Sequence, residues 1–416
     1  MAKGLTGSSE AIGSALNGFL GIKESYQLPD ALMSALLDDT RRDNLLAIVS
    51  EMMDDGQTDP LRDYFQETSS NRDAMMQDYT PDCLCRLVSS ILPETDSLLD
   101  ICAGTGSLSA IQSQGGTHIQ CEELSTRALP VLLMNLAMRN ASATVLNRDV
   151  VQERTDAAFR LVPGERFSSI EPCEPPEWRR FGAIVSNPPY SLKWDGDGSS
   201  ARLFGWDIPP KSKADYLFVL DAVSRLEDGG TAVFILPHGV LFRGASEGKI
   251  RRKLVEDGLL HTVIGLPDRL FMHTGIPVCL FVLKRQRNDG VLFVDASKRF
   301  DRRGSVNVIS KRHISDITDA YNSRDDVEKF AHLASIDEIR ENDYNLNIPR
   351  YVDTFEPEPV PDLMETVKQL MDIELHRHET EKRLAEKLRK LTGTVHGVDY
   401  QRDMREFIDW LEGGGS

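Results

Sequence analysis

The apolar positions in the first part of the chain recur at intervals of three and four residues up to about residue 71. Leu32, Leu36, Leu45 and Leu46 are examples, and polar stretches separate such groups. This spacing places apolar side chains on one face of a helix. It therefore predicts a small helical N-terminal domain, to which we assign residues 1–76.

From Ser97 the pattern changes to short apolar runs typical of β-strands, with segments of helical length between them. This alternation indicates crossover connections and a mainly parallel sheet, and therefore an α/β fold. One intervening helix is predicted to follow Ala214 and to be closed by Gly229 and Gly230, because glycine commonly ends helices. The predicted strands are Ser97–Ile101, His118–Cys121, Thr144–Leu146, Ala183–Ser186, Thr231–Leu236, Thr262–Gly265 and Val278–Leu283.

Two further segments interrupt or end the strand pattern. Residues 194–213 are rich in Gly, Ser and Pro and predict a long loop, which in a compact enzyme is more often a lid or substrate-binding element than a linker. After about residue 302 the strands fade, and prolines at 356–361 lead into charged helical segments. We therefore assign a central domain to 77–310 and a C-terminal helical segment to 311–412, and interpret 413–416 as a cloning remnant.

The charge of the chain changes the range of functions to consider. Its 416 residues include 48 Lys and Arg and 65 Asp and Glu, which gives a net charge of −17. The length allows two or three domains. Nucleic-acid binding normally depends on basic side chains that neutralise phosphates. The acidic balance therefore argues against a protein that holds DNA by itself.

The cysteines and the apolar runs indicate the compartment. The six cysteines lie at scattered, mostly apolar positions without the Cys-x-x-Cys spacing of zinc sites, so we expect reduced core residues and no metal. No apolar run approaches the length of a membrane span, and the N-terminus lacks an export signal. These features predict a cytoplasmic protein with no membrane partner.

The first motif with chemical content is a glycine-containing turn directly after the first predicted strand. Asp100, Ala103, Gly104, Thr105 and Gly106 lie in it. Glycines at a strand-to-helix turn let the backbone approach a ligand closely, as in Rossmann-type folds. An acid before the glycines favours S-adenosylmethionine over a dinucleotide, because that cofactor carries a sulfonium and an ammonium group and no phosphate.

Two more predicted strands end in acidic residues. Glu122 and Glu123 follow the second strand, and either could accept hydrogen bonds from both hydroxyls of a ribose. The period-two alternation of a strand does not choose between them. Asp149 follows the third strand, where it could bind the exocyclic amine of an adenine ring.

The sequence Asn187-Pro188-Pro189-Tyr190 follows another predicted strand. Consecutive prolines hold the backbone extended, so that the Pro188 carbonyl and the Asn187 amide supply two acceptors for one planar NH2 group. Such acceptors stabilise the positive charge that develops when an aromatic amine attacks a methyl carbon. Tyr190 would stack on the base.

These segments resemble the cofactor and catalytic motifs of the gamma-type amino-methyltransferases, in which a Tyr-Thr-Pro element precedes the glycine loop. Tyr79, Thr80 and Pro81 stand at that place. Other stretches are similar to the modification (methyltransferase) subunit of type I restriction-modification systems, and the resemblance runs in the expected order from about residue 78 to 351. They are Lys213–Phe218, Leu236–Gly244, Val263–Pro267, Thr274–Pro277, Gly290–Ser297 and Asn342–Tyr351.

The resemblance implies a Rossmann-like class I fold that uses S-adenosylmethionine, without a metal, to methylate N6 of an adenine flipped out of double-stranded DNA. It also implies roles for individual residues. Tyr79, Thr80 and Pro81 line the methionine end of the cofactor; Asp100, Ala103, Gly104, Thr105 and Gly106 form its loop; Glu123, favoured over Glu122, binds the ribose; Asp149 lies near the cofactor adenine; and Asn187, Pro188 and Tyr190, in a motif with Pro189, hold the target base.

The resemblance also implies partners. In this family a separate DNA specificity subunit reads the sequence and is gripped by C-terminal helices, and a second modification subunit and a restriction subunit can join. The chain shows no large variable segment of its own for reading DNA. Basic clusters at 249–253, 298–303 and 311–313 either contact phosphates or form solvated faces, and His238 fits a structural role better than acid–base catalysis.

Two other functions remain open from the sequence. The same Asn-Pro-Pro-Tyr motif is used by enzymes that methylate a protein glutamine or an RNA base, although the downstream stretches argue against that reading. A non-catalytic, methyltransferase-like scaffold is the other alternative. The intact Gly104, Gly106, Asn187 and Tyr190 argue against it.

Overall fold

The computed structural model describes residues 9–54, 57–68, 79–113, 116–195, 201–272, 274–354, 362–392 and 398–413. The chain forms two compact units, Met1–Thr354 and Phe355–Ser416. The predicted boundaries after residues 76 and 310 both fall inside the first unit.

The predicted N-terminal helices are present. Their apolar residues, including Leu32, Leu36, Leu45 and Leu46, are buried in the same cluster as residues of the sheet and its helices, which explains why this region forms one unit with them. Asp38 caps the third helix by accepting a hydrogen bond from the Arg41 amide at 2.9 Å. The helices are α1 Ser9–Leu20, α2 Leu28–Leu36, α3 Asp39–Met52 and α4 Arg62–Thr68.

The rest of the first unit is an α/β structure built on a large mixed sheet, which confirms the predicted fold class. Its helices are α5 Asp82–Ile91, α6 Ser107–Ile111, α7 Leu129–Met138, α8 Asp215–Arg225, α9 Ala245–Glu256, α10 Lys311–Ser323 and α11 Ile336–Glu341. Its strands are β1 Ser97–Ile101, β2 His118–Glu123, β3 Ser142–Asp149, β4 Arg154–Val162, β5 Ser169–Pro172, β6 Phe181–Ser186, β7 Leu226–Pro237, β8 Leu260–Gly265, β9 Val278–Lys284, β10 Gly290–Asp295, β11 Asp301–Arg303, β12 Val306–Val308 and β13 Ala331–Ser335.

The strand order in the described sheet is β13-β10-β8-β9-β7-β6-β1-β2-β3-β4-β5. Strands β7, β6, β1, β2 and β3 run parallel in its centre, with Asp100 beside Cys121 and Val185 in register. The carboxyl ends of parallel strands meet at one edge of a sheet, where open α/β folds bind ligands. This topology brings the ends of β6, β1, β2 and β3 together.

All seven predicted strands lie within strands of the structure, but the predicted helix end at Gly229 and Gly230 is wrong. Helix α8 ends at Arg225, and both glycines lie in β7. The register between β6 and β7 shifts there, and Gly229 has a φ of 80°. A Cβ on Gly230 would lie 2.9 Å from the Gly182 carbonyl. The glycines therefore permit an irregularity in a strand.

The expectation that strands fade after residue 302 is also wrong. Strands β11 and β12 form a hairpin, and β13 pairs with β10 in antiparallel orientation at the border of the main sheet. Only Ala331 and Ala334 of its residues are buried, and Leu333 and Ser335 are exposed, so β13 has a weak apolar signal. Its residues nevertheless complete the sheet, which extends the first unit beyond residue 310.

The second unit contains two helices, α12 Leu363–Thr392 and α13 Val398–Glu412. Ala385, Ile408 and Leu411 form a small buried cluster between them, and Arg389 forms a salt bridge with Glu412. In the first half of α12, apolar side chains such as Ile373 are exposed. The proline-rich stretch at 355–361 lies outside the described residues. No helix among those described combines the length and apolar character needed to span a membrane.

Candidate active site

The structure brings the predicted site residues to one edge of the sheet. Asn187 follows β6, Gly104 lies in the turn after β1, Glu123 ends β2 and Asp149 ends β3. These four strands are adjacent and parallel. Residues that are up to about eighty positions apart in the chain therefore share one cleft edge.

The turn after β1 is tightly packed against side chains that approach its backbone. Gly104 and Gly106 have φ values of 59° and 87°, which favour glycine. A Cβ on Gly104 would lie 3.0 Å from the Tyr79 ring, and a Cβ on Gly106 would lie 2.5 Å from Leu132 Cδ1. Ala103, between β1 and these glycines, donates its amide to the Glu122 carbonyl at 3.0 Å. Larger residues at the two glycines would displace the loop or its neighbours.

Asp100 is a buried carboxyl group at the carboxyl end of β1. Its Oδ2 accepts a hydrogen bond from Ser109 Oγ, whereas its Oδ1 has no hydrogen-bond partner among the described residues. Burial raises the pKa of Asp100 to about 7, and the nearby Glu123 contributes in the same direction. A cationic group would relieve this arrangement, because it would compensate both the unpartnered oxygen and the unfavourable charge.

Glu122 and Glu123 point to opposite faces of the sheet and have different partners. Both carboxylate oxygens of Glu122 accept hydrogen bonds from the Arg225 guanidinium on α8, so this side chain is already held in a buried ion pair. The Glu123 carboxylate accepts hydrogen bonds from the Gly104 amide at 2.8 Å and the Ser125 amide at 2.6 Å. Of the two acids, Glu123 is therefore the one whose carboxylate is hydrogen bonded to the glycine loop.

Asp149 lies at the end of β3, and the Tyr79-Thr80-Pro81 element borders the glycine loop through the Tyr79 ring. Asp149 is half-buried and accepts a hydrogen bond from the Gln152 amide at 2.9 Å. The Tyr79 ring is buried against Phe65, with centroids 5.8 Å apart. Pro81 precedes α5, and residue 78 lies outside the described residues.

The Asn-Pro-Pro-Tyr motif is joined to the Tyr-Thr-Pro element by a hydrogen bond. Asn187 Nδ2 donates to Thr80 Oγ1 at 3.1 Å, and Asn187 Oδ1 accepts from the Tyr190 hydroxyl at 2.8 Å. Pro188 is buried, whereas Pro189 and Tyr190 are half-buried. These contacts fix the orientation of the Asn187 amide.

One residue near the glycine loop was missed by sequence reasoning. Asp59, which is buried, accepts hydrogen bonds from Thr105 Oγ1 and from Ser107 Oγ, the latter at 3.1 Å. Burial raises the pKa of Asp59, although the Thr105 hydroxyl opposes that shift. The sequence Thr58-Asp59-Pro60 resembles an ordinary surface turn, so its burial had no signal in the sequence.

Basic residues from two of the predicted clusters line a cavity beside Tyr79. The cavity has a volume of about 590 Å³ and lies between α4, α5, the β11–β12 hairpin and the start of α10. Arg62, Arg86, Arg303 and Lys311 contribute cationic side chains to its wall, together with the acidic Asp63 and Asp82. The local charge of this wall therefore differs from the acidic balance of the whole chain.

The remaining candidates from the sequence are His238 and the six cysteines. His238 Nε2 lies 3.1 Å from the Val278 carbonyl, and burial lowers the pKa of the ring. The six cysteines form no disulfide. Within the described ranges, no group of three or more His, Cys, Asp or Glu residues is arranged to hold a metal ion.

Comparisons with known proteins match this architecture. The sequence matches the family described as N-6 DNA Methylase over residues 61–359. It is 30% identical to the MpnII type I restriction enzyme methylase subunit of Mycoplasma pneumoniae, over 72% of this chain and 55% of that one. Identity to the MjaIX subunit of Methanocaldococcus jannaschii is 28%, over 71% and 56% of the two chains. The chain thus spans just over half the length of these relatives.

Solved structures show the same similarity. The type I restriction-modification methyltransferase subunit of Streptococcus thermophilus is 30% identical, with a TM-score of 0.61, over 83% of this chain and 80% of that one. A modification subunit of a putative type I restriction enzyme from Vibrio vulnificus YJ016 has a TM-score of 0.53 at 18% identity, over 77% and 67% of the two chains. The second similarity concerns the fold alone.

Proposed function

Because the chain belongs to the N-6 DNA methylase family, we propose that it transfers a methyl group from S-adenosylmethionine to the N6 amine of adenine in double-stranded DNA. One observation carries this proposal. Asn187 of the Asn-Pro-Pro-Tyr motif is hydrogen bonded at 3.1 Å to Thr80, which lies beside the glycine loop. A base-holding motif and a cofactor-type loop are therefore parts of one site.

The residues at the carboxyl edge fit S-adenosylmethionine. The unpartnered Asp100 Oδ1 suits an ammonium or sulfonium group, and Gly104 and Gly106 give the loop positive φ values that a residue with a side chain would rarely adopt. Glu123 is assigned to the ribose hydroxyls, since Glu122 is held by Arg225. Asp149 is assigned to the adenine ring of the cofactor. When bound, the cofactor supplies an activated methyl group on a positively charged sulfur.

Five further residues, in the loop and in the Tyr-Thr-Pro element beside it, complete this assignment. Tyr79 borders Gly104, and Thr80 and Pro81 continue from it toward α5. Ala103 and Thr105 alternate with the glycines in the loop, where Thr105 is held by Asp59. Their proposed role is to keep the loop and the methionine end of the cofactor in a fixed position.

The Asn-Pro-Pro-Tyr motif is assigned to the target base. The Pro188 carbonyl and Asn187 Oδ1 accept hydrogen bonds from the two hydrogens of the amine, and these bonds strengthen as positive charge develops on the nitrogen. Pro189 keeps the preceding backbone extended, and Tyr190 stacks on the base. In this proposal the transfer is a direct displacement, so positioning and electrostatics supply the rate without a covalent enzyme intermediate or a metal.

The chain is proposed to act as the modification subunit of a type I restriction-modification system in a prokaryotic cytoplasm. Several relatives are type I methylase subunits by name. The exposed apolar side chains of the first half of α12 suit docking of a DNA specificity subunit. Assembly with a second modification subunit and a restriction subunit belongs to the same proposal.

A methylation assay tests the function directly. The full chain, with and without the specificity subunit encoded beside it, is incubated with labelled S-adenosylmethionine and unmethylated genomic DNA, and N6-methyladenine is measured and mapped by sequencing. We expect label in DNA adenine at one sequence motif when both subunits are present. Label in protein glutamine or RNA would contradict the proposal, and an absence of both transfer and cofactor binding would favour a scaffold.

A further inference from the structure

Phe204 is the most exposed large apolar side chain among the described residues, with 91% of its surface accessible. A phenylalanine ring carries a large apolar surface, and its full exposure forgoes the stabilisation of burial. The neighbours on its N-terminal side, Arg202 and Leu203, are buried, and Gly205 follows with a φ of 79°. The two residues before Phe204 are therefore packed, whereas Gly205, Asp207 and Ile208 after it are exposed as well.

This turn is anchored at the edge of the sheet that carries the site. The Arg202 guanidinium donates to the Val150 carbonyl, to the Val151 carbonyl at 2.7 Å and to Asp221 Oδ1 at 3.1 Å. Val150 and Val151 directly follow Asp149 at the end of β3. Leu203 is buried in the same apolar cluster as residues of α8. Phe204 is thus held on a fixed support next to the proposed cofactor site.

The base of the same loop is tied to the Asn-Pro-Pro-Tyr motif. The Ser191 amide, directly after Tyr190, donates to Asp215 Oδ1 at 2.8 Å, and the Ala214 amide donates to the Leu192 carbonyl at 2.8 Å. The Trp194 amide donates to the Lys211 carbonyl at 2.9 Å. The two ends of the loop are therefore held together directly after the Asn-Pro-Pro-Tyr motif.

Cationic side chains of α9 lie against the loop on the C-terminal side of Phe204. Lys253 Nζ is 5.1 Å from the centroid of the Trp206 ring, and Lys249 Nζ forms a salt bridge of 3.2 Å with Asp207. An exposed aromatic ring beside lysines is a combination used for nucleic acids, in which the ring stacks on bases and the cations face phosphates.

We propose that Phe204 inserts into the DNA base stack and fills the space vacated by the flipped adenine. This inference rests on the proposed function. Flipping a paired base costs unstacking energy, and an apolar wedge recovers part of it by stacking on the neighbouring pairs. A rigid ring on an anchored turn suits this task, because little conformational entropy is lost on insertion. Phe204 is therefore a positioning residue for the extruded state.

The test compares two DNA duplexes that contain the motif mapped in the methylation assay. One is fully paired, and the other has an abasic site opposite the target adenine, which removes the base pair that must be broken. With the specificity subunit present, Phe204→Ala is expected to methylate the paired duplex at least about tenfold more slowly, and the abasic duplex within about twofold of the unmodified protein. Phe204→Trp is expected to restore most of the rate on the paired duplex.

Trp178→Ala is the matched control, because Trp178 is 66% exposed and precedes the amino end of β6, away from the carboxyl edge. It should leave both rates unchanged. An equal loss by Phe204→Ala on the two duplexes, or no loss on either, would overturn the wedge while leaving the methylation assay valid. Failure of the unmodified complex to methylate DNA adenine would instead refute the proposed function.

Discussion

At the scale of single residues, Asn187 links the two parts of the candidate site, since its amide group donates to Thr80 and accepts from Tyr190. Replacement of Asn187 by alanine removes one of the two acceptors proposed for the target amine. We expect the methylation rate to fall by about 100-fold or more. The dissociation constant for S-adenosylmethionine, measured by isothermal titration calorimetry, should change by less than about threefold, because the glycine loop is untouched.

A suitable control for that substitution is Asn140→Ala. Asn140 forms two hydrogen bonds with Gly164, which lies in the loop between β4 and β5. In one of them Asn140 Oδ1 accepts from the Gly164 amide at 2.8 Å. This variant should keep full activity. If Asn187→Ala retained turnover, the assigned role of the Asn-Pro-Pro-Tyr motif would be incorrect.

Asp100 allows a prediction about pH. Its pKa is raised to about 7 by burial, so the carboxyl group becomes ionised as the pH rises through that value. A cationic cofactor interacts favourably with the ionised form, and the affinity for S-adenosylmethionine should therefore increase between about pH 6 and pH 8. Asp100→Asn should bind more weakly and lose most of the difference between these pH values.

The stability of the apo protein should change in the opposite direction. Because the folded pKa of Asp100 lies above its ordinary value of 3.8, the folded state holds the proton more strongly. The stability associated with this group is present below that ordinary value and is lost as the pH rises through about 7. Thermal melts should show Asp100→Asn gaining stability relative to the unmodified protein as the pH rises. If cofactor affinity and apo stability changed in the same direction with pH, the assignment of Asp100 to the cationic group of the cofactor would be incorrect.

At the scale of elements, the segment before α4 supports the glycine loop through Asp59. Asp59→Ala would leave the hydroxyls of Thr105 and Ser107 without their buried acceptor, at a cost of roughly 1–3 kcal/mol. We expect a lower melting temperature and about tenfold weaker cofactor binding, measured by scanning calorimetry and equilibrium dialysis. Asp59→Asn keeps an acceptor oxygen and should lose less of both. Unchanged cofactor affinity in Asp59→Ala would show that the contact serves folding alone.

Prediction at this scale succeeded where local pattern and topology coincide. The strand Ser97–Ile101 was predicted with its observed ends, because all five of its residues are buried and a glycine turn follows directly. The pattern gave no reason to extend the sheet to β13, because only Ala331 and Ala334 of its five residues are buried. Gly229 and Gly230 were misassigned because glycine serves both helix ends and strand irregularities.

At the scale of the whole molecule, the net charge of −17 leads to a prediction about the affinity of the chain for DNA. The isolated chain should bind DNA weakly, with dissociation constants of about 10⁻⁴–10⁻⁶ M, and the affinity should fall steeply as salt increases. With the specificity subunit, binding should reach about 10⁻⁸ M or tighter. Fluorescence anisotropy with labelled duplexes at two salt concentrations measures both.

Ile373→Glu separates the contribution of the partner from that of the chain. Ile373 is 66% exposed in the first half of α12, so a charge there should be tolerated in the folded helix. It should reduce the gain in DNA affinity that the specificity subunit provides, while the weak binding by the isolated chain stays the same. Tight, specific DNA binding by the chain alone would refute the proposal that the specificity subunit provides most of the DNA affinity.

The sequence by itself determined the fold class, the glycine loop and the Asn-Pro-Pro-Tyr motif. Each is encoded by neighbouring residues, because an apolar run, a glycine φ preference and a proline restriction act within a few positions. Only the tertiary structure pairs Glu122 with Arg225, which lies 103 positions away in the chain, and joins Glu123 to the Gly104 amide. It likewise placed Asp59 against Thr105 and left Phe204 exposed on an anchored turn. Burial and ion pairing depend on segments that meet only after folding, and no local pattern records which of them will meet.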